Sequence, residues 1–125
     1  MEALKNYFET TKGTGVISTA DKDGKVNSAV YSRPHFLEDG SLAFIMRDRL
    51  THHNLQSNHH AAYLFVEEGP GYKGKRLHLT KIGEDEDMER IQTLARRQYK
   101  NEKEDGRFLV TFQVDKELPL IGAGK

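Results

Sequence analysis

The stretch GVISTADKDGKVNSAVYSR, residues 15–33, decides the fold. Gly15 to Ala20 is a short run rich in β-branched residues, broken by Asp21-Lys22-Asp23-Gly24. An Asp-Gly pair between two such runs is a strong local signal for a hairpin, since glycine enters the left-handed region without a Cβ clash. Val26 to Arg33 reads as the returning strand. Regular structure after the first few residues therefore begins as an antiparallel hairpin rather than a βαβ unit.

Toward the N-terminus, Ala3, Leu4, Tyr7, Phe8 and Thr11 recur at three- and four-residue spacing, which predicts a short amphipathic helix. Lys12 and Gly13 supply its basic last turn and C-terminal cap. Toward the C-terminus, Pro34 cannot donate to a ladder, so the second strand ends there or lies on an edge. Glu38-Asp39-Gly40 is a second turn, and Leu42 to Met46 is apolar enough to be a strand buried on both faces. Thr51 to Gln56 lacks alternation and ends at Ser57-Asn58, which suits a short helix capped by Thr51 or a neighbour. Strands follow at Ala61 to Val66 and Arg76 to Ile82, separated by a loop, Glu67 to Lys75, that holds Gly69, Pro70, Gly71 and Gly74.

Glu84 to Lys103 sets Met88, Ile91, Leu94, Ala95 and Tyr99 on one helical face, with an acidic start and a basic end that match the helix dipole. Phe108, Val110, Phe112 and Val114 alternate as a last strand that ends before Pro119. Six strands at hairpin spacing with small helices between them define a mainly β chain, an antiparallel barrel or sandwich forming one domain over residues 1–125.

Composition narrows the chemistry. Nineteen basic residues balance nineteen acidic ones, so the electrostatic case for a nucleic-acid or anionic-membrane partner is missing. The absence of cysteine excludes disulfides, thiolate metal sites and a thiol nucleophile, and fits a reducing compartment. The opening MEALKNYFETTKG carries charges and no apolar run, so the expectation is a cytoplasmic protein. An apolar fraction of 36% is lean for a chain of this size, which favours burying more surface between two copies of it.

Four groups of residues carry possible chemistry. Arg33, Arg47, Arg49 and Thr51 fall in a strand, a turn and a helix start, where guanidinium forks and free N–H groups suit a phosphate. Six histidines include the pairs His52-His53 and His59-His60, but neighbours in sequence do not share a helical face, and no metal site is expected. His35 follows a proline at the mouth of the second hairpin, a position that can meet a substrate. The basic end of the loop, Lys75 and Arg76, and the acidic run Glu84 to Asp87 complete the set; the latter reads as an ordinary acidic first turn. No serine lies in a nucleophile elbow, so an organic cofactor carrying the reaction would suit the chain better than its own side chains.

The order of these elements, with Gly15 to Ala20, Asn27 to Arg33, Gly40 to Met46, Arg49 to Leu55 and Asn58 to Phe65, resembles the pyridoxamine 5'-phosphate oxidase-like family of FMN-binding split barrels. The resemblance implies a six-stranded split β-barrel that works as a homodimer with FMN at the subunit interface. It places flavin contacts at Val30, Tyr31, Ser32, Arg33, Pro34 and His35, at Phe44 and Ile45, at Arg49, Leu50 and Thr51, and at Lys75 or Arg76. The family's phosphate lysine is missing, so Thr51 holds its place and the charge falls to Arg33, Arg47 or Arg49. His35 falls where the family's substrate lysine would lie, and Val114 to Lys125 holds no Arg-x-His substrate segment. The expected function is an FMN-dependent oxidoreductase that does not act on vitamin B6. Other readings of the same fold are a haem-utilisation protein, a deazaflavin-dependent reductase, or a flavin-binding electron carrier without turnover.

Overall fold

The computed structural model describes residues 2–94 and 106–122. Helix α1 (Glu2–Thr10) leads into the hairpin β1 (Gly13–Ala20) and β2 (Val26–Tyr31). After them come β3 (His35–Phe36), β4 (Leu42–Arg47), α2 (Leu50–Ser57), β5 (His60–Glu67), β6 (Gly74–Asp85), α3 (Met88–Leu94) and β7 (Arg107–Pro119). The strands form one antiparallel sheet in the order β2-β1-β5-β6-β7-β4-β3. The founding hairpin forms where expected: Asp21 Oδ1 accepts from the N–H groups of Asp23 and Lys25, and Gly24 adopts φ +84.

The concave face of the sheet holds the main core. Ile17, Phe44, Tyr63, Phe65, Leu77 and Phe112 are all at most 2% exposed, and Phe8 of α1 packs into them. The strands β2 and β4 are not hydrogen-bonded to each other, yet the Tyr31 and Phe44 rings meet edge to face at 6.0 Å. The sheet has therefore curled until its two ends approach, leaving a slit between β2 and β4 that α2 packs across. This is a split barrel. Strand β4 is buried on both faces because Leu42, Phe44 and Met46 enter the barrel, while Ala43 packs with Leu109 under Ile91 of α3.

Several boundaries differ from those read in the sequence, each for a local reason. A seventh strand, β3, adds two residues opposite Leu42 and Ala43, too short to show a period. Strand β2 stops at Tyr31, before Pro34. Helix α1 stops at Thr10, and Gly13 already belongs to β1; Arg33 rather than a glycine caps the helix. Glu84 and Asp85 end β6 instead of opening a helix, and Asp87 caps α3 by accepting from the N–H groups of Glu89 and Arg90. Strand β7 runs to Pro119, whose carbonyl accepts from Arg76, so a proline closing an edge position did not end the ladder early. Ala95, Tyr99 and the basic end of the expected long helix lie outside the described residues. Among the described residues no helix is long and apolar enough to cross a membrane.

Candidate functional site

The slit opens as a groove of about 740 Å³, within the range of ~300–1,000 Å³ usual for small-molecule sites. Val30 and Tyr31 line it from β2, Ser32 from just beyond that strand, His35 from β3, Ile45 and Arg47 from β4, and Arg49, Leu50 and Thr51 from the start of α2. Residues from four separate segments thus converge because the sheet curls, although 21 positions separate Val30 from Thr51 in the chain.

The α2 end of the groove is organised for an anion. Arg49 is the N-cap residue in extended conformation and makes no side-chain cap, so the first-turn N–H groups receive nothing from it. The first intrahelical bond runs from His53 N–H to the Arg49 carbonyl, which places Leu50 at N1 and Thr51 at N2. Thr51 is 4% exposed, and its side chain lies against the Tyr31 hydroxyl. Burial pushes the Tyr31 phenol above its ordinary range, against the opposing pull of the Thr51 side chain and the Arg49 charge, so the hydroxyl stays protonated at neutral pH. One exposed guanidinium, two hydroxyls and a helix start at one spot match what a phosphate monoester requires.

Arg107 is a site residue the sequence reading missed. It is 4% exposed, lines the groove, and stands directly opposite Arg47 in the β4–β7 register. Only that pairing, which joins strands 60 positions apart, could have brought it forward. Asn27, Ser28 and Ala29 also line the groove and were missed, being ordinary members of the alternating strand β2. The described lining contains no Asp or Glu.

The expected contacts Arg33, Pro34, Phe44, Lys75 and Arg76 lie outside the groove lining. Arg33 Nη1 donates to the carbonyls of Phe8 and Thr11, at 2.9 and 3.3 Å, which turns this arginine toward the end of α1. Phe44 is in the barrel core, behind the groove wall. Lys75 pairs with Glu117 at 2.7 Å and sits over the Tyr7 ring, and Arg76 donates to the carbonyls of Pro119 and Gly122. His53, His59, His60 and His78 are exposed, and among the described residues no three His, Asp or Glu groups converge as metal ligands would.

No family model matches this sequence, and no curated protein matches it. Solved structures do. An FMN-binding protein from Syntrophomonas wolfei superposes with a TM-score of 0.76 at 18% identity, over 98% of this chain and 87% of that one. HupZ from Group A Streptococcus gives 0.73 at 15%, over 96% and 93% of the two chains. A candidate pyridoxamine 5'-phosphate oxidase from Lactobacillus delbrueckii gives 0.69 at 17%, over 94% and 92%. The chain accordingly has the split-barrel fold of the pyridoxamine 5'-phosphate oxidase-like proteins, the group its sequence resembles.

Proposed function

We propose that this chain is an FMN-binding oxidoreductase that works as a homodimer in the cytoplasm. The observation that carries the reading is the convergence at α2: an uncapped helix start, Arg49, Thr51 and the Tyr31 hydroxyl at one end of a groove whose described lining has no carboxylate. There the phosphate of FMN would be held, with Arg47 and Arg107 further along the same groove and Val30, Ser32 and Ile45 as its walls. When bound, the flavin would supply the electron and hydride transfer for which the chain's own side chains are poorly equipped. The protein's part is to bind, orient and shield. No dinucleotide fingerprint accompanies the site, which favours FMN over FAD.

The dimer rests on the outer face of the sheet. Val30 lies opposite Val16, and Val16 opposite Leu64, giving an apolar row across β2, β1 and β5. Val26 and Val30 are 82% and 76% exposed, too much apolar surface on one edge for a strand that stays alone in water. Val30 also lines the groove, so a second copy packed on this face would stand beside the flavin site. That geometry offers Arg76, which stands opposite Leu64 in the same outer row, a place against a partner's flavin, whereas Lys75 faces the other way, over Tyr7.

Vitamin B6 oxidation is not the reaction this reading favours. His35 replaces an ammonium with an imidazole at the groove mouth, and Val114 to Lys125 brings no Arg-x-His segment. The test is reconstitution with FMN, riboflavin and FAD, release of the bound ligand by heat, and chromatography. FMN is the expected product; recovery of FAD, or of no flavin, overturns the proposal. Because HupZ shares the fold, haem is titrated in parallel, and a Soret band in place of flavin uptake would favour the haem-utilisation reading.

A further inference from the structure

One buried titratable side chain takes no part in the site as described. His52, at N3 of α2 and 6% exposed, follows Thr51 directly. Its Nδ1 lies 3.0 Å from Asp48 Oδ1 and its Nε2 3.0 Å from Glu84 Oε2, and its ring stacks on Phe108 at 3.9 Å and 14°. Gln56 Nε2 is also 3.1 Å from His52 Nε2. The two hydrogens of that amide are already placed, one on the His52 carbonyl and one on Glu84 Oε1. Each ring nitrogen of His52 thus faces a carboxylate oxygen, an acceptor, and the ring is clamped between Asp48 and Glu84.

Acidic residues are preferred at the N3 position, and a histidine there forgoes the stabilisation that one would give. The arrangement is built despite that cost. Glu84 is held in turn by Lys81 at 2.9 Å, so α2 is tied to β6 through the His52 ring and to β7 through Phe108. A local violation of helix rules beside a binding groove is where function is expected to show itself.

We propose that His52 is a positioning residue for the phosphate end of the flavin: clamped between Asp48 and Glu84, it fixes the first turn of α2, whose N–H groups and Thr51 would hold the anion beside Arg49. The inference rests on the FMN reading and goes beyond it, since His52 does not line the groove and is assigned no contact with the cofactor.

The test compares dissociation constants for FMN and riboflavin on the full chain stripped of ligand, for wild type, His52→Gln and Asp48→Asn. A role in folding alone loosens both ligands alike. Loss of position at the phosphate end weakens only FMN. As the clamp on the first turn is lost, the preference for FMN over riboflavin should fall about tenfold in His52→Gln and about threefold in Asp48→Asn, on the order of one net hydrogen bond. Riboflavin affinity should hold within about twofold.

A preference unchanged within about twofold in the folded variants overturns the inference and leaves the FMN reading intact. Wild type binding both flavins equally overturns the phosphate site as well, and wild type binding neither removes the FMN reading and this inference together. If circular dichroism shows His52→Gln unfolded, Asp48→Asn decides, because the Asp48 side chain is 74% exposed and its amide costs no burial.

Discussion

Helices α1 and α2 each bring one end to an arginine, and the two ends are treated in opposite ways. At the end of α1 the carbonyls of Phe8 and Thr11 accept from Arg33, so helix and arginine satisfy each other. At the start of α2 the N–H groups and Arg49 are both electropositive and have nothing to offer each other, and the cap is left open. A guanidinium against carbonyls is structure. A guanidinium beside N–H groups leaves both able to receive an anion. The charge of an arginine is thus no guide to its role until the polarity of the backbone it faces is known.

The widest way to separate these two ends is to remove what anchors the first. Phe8 is 1% exposed, with the Phe65 ring at 5.1 Å and the Phe36 and Tyr63 rings at 6.2 and 6.1 Å. Phe8→Ala should cost about 3–5 kcal/mol of stability, read by denaturant titration, because the site cannot collapse around so large a void. In the fraction that remains folded, the preference for FMN over riboflavin should be that of wild type. A changed preference would mean that α1 reaches the flavin site after all.

Next in size is the open end. Arg49→Ala should weaken FMN by about 1.5–3 kcal/mol, the range of a hydrogen bond to a charged group, while global stability moves by less than about 0.5 kcal/mol because the side chain is exposed. Arg33→Ala should give the mirror result. It strands two partly buried carbonyls and costs about 1–2 kcal/mol of stability, with FMN affinity unchanged. Calorimetric titration and thermal melts of the same two variants settle both. If Arg33→Ala lowers FMN affinity as strongly as Arg49→Ala, the contrast between the helix ends is wrong.

How much of this was visible in the chain follows the same division. The hairpin at Asp21 to Gly24, the doubly buried β4 and the short helix after Arg49 are written in local pattern, where turn chemistry and period suffice. The groove residues from Val30 to Thr51 could be named because a resemblance supplied the topology that joins them. Arg33 and Arg49 could not be told apart, since each reads as a basic residue near a turn and only three-dimensional packing shows which dipole it faces. Arg107 was invisible for a related reason: its neighbour Arg47 is a product of strand order, not of spacing. The His52 clamp draws on the loop before α2, on α2 itself and on β6 and β7, and an isolated His-His pair gives no hint of it.

The smallest effect concerns the carboxylate that steadies the open end. Burial pushes the Glu84 carboxyl up, but hydrogen bonds from His52, Lys81 and Gln56 outweigh it and hold the group at about 2, below its ordinary 4.5. A folded-state value below the unfolded one means that Glu84 contributes its stability above about pH 4.5 and loses it as the pH falls from 4.5 toward 2. Asp21, Asp39 and Asp115 are also held below their ordinary values, by hydrogen bonds at turns and from Thr80, so wild type alone cannot isolate the effect. The difference between wild type and Glu84→Gln can, because the three aspartates are common to both. Melting temperatures measured down this window should fall more steeply for wild type, and the two curves should converge at the acid end. Parallel acid limbs would show that the proton is bound no differently by the folded and the open chain, and would remove the anchor that holds the uncapped end of α2 in place.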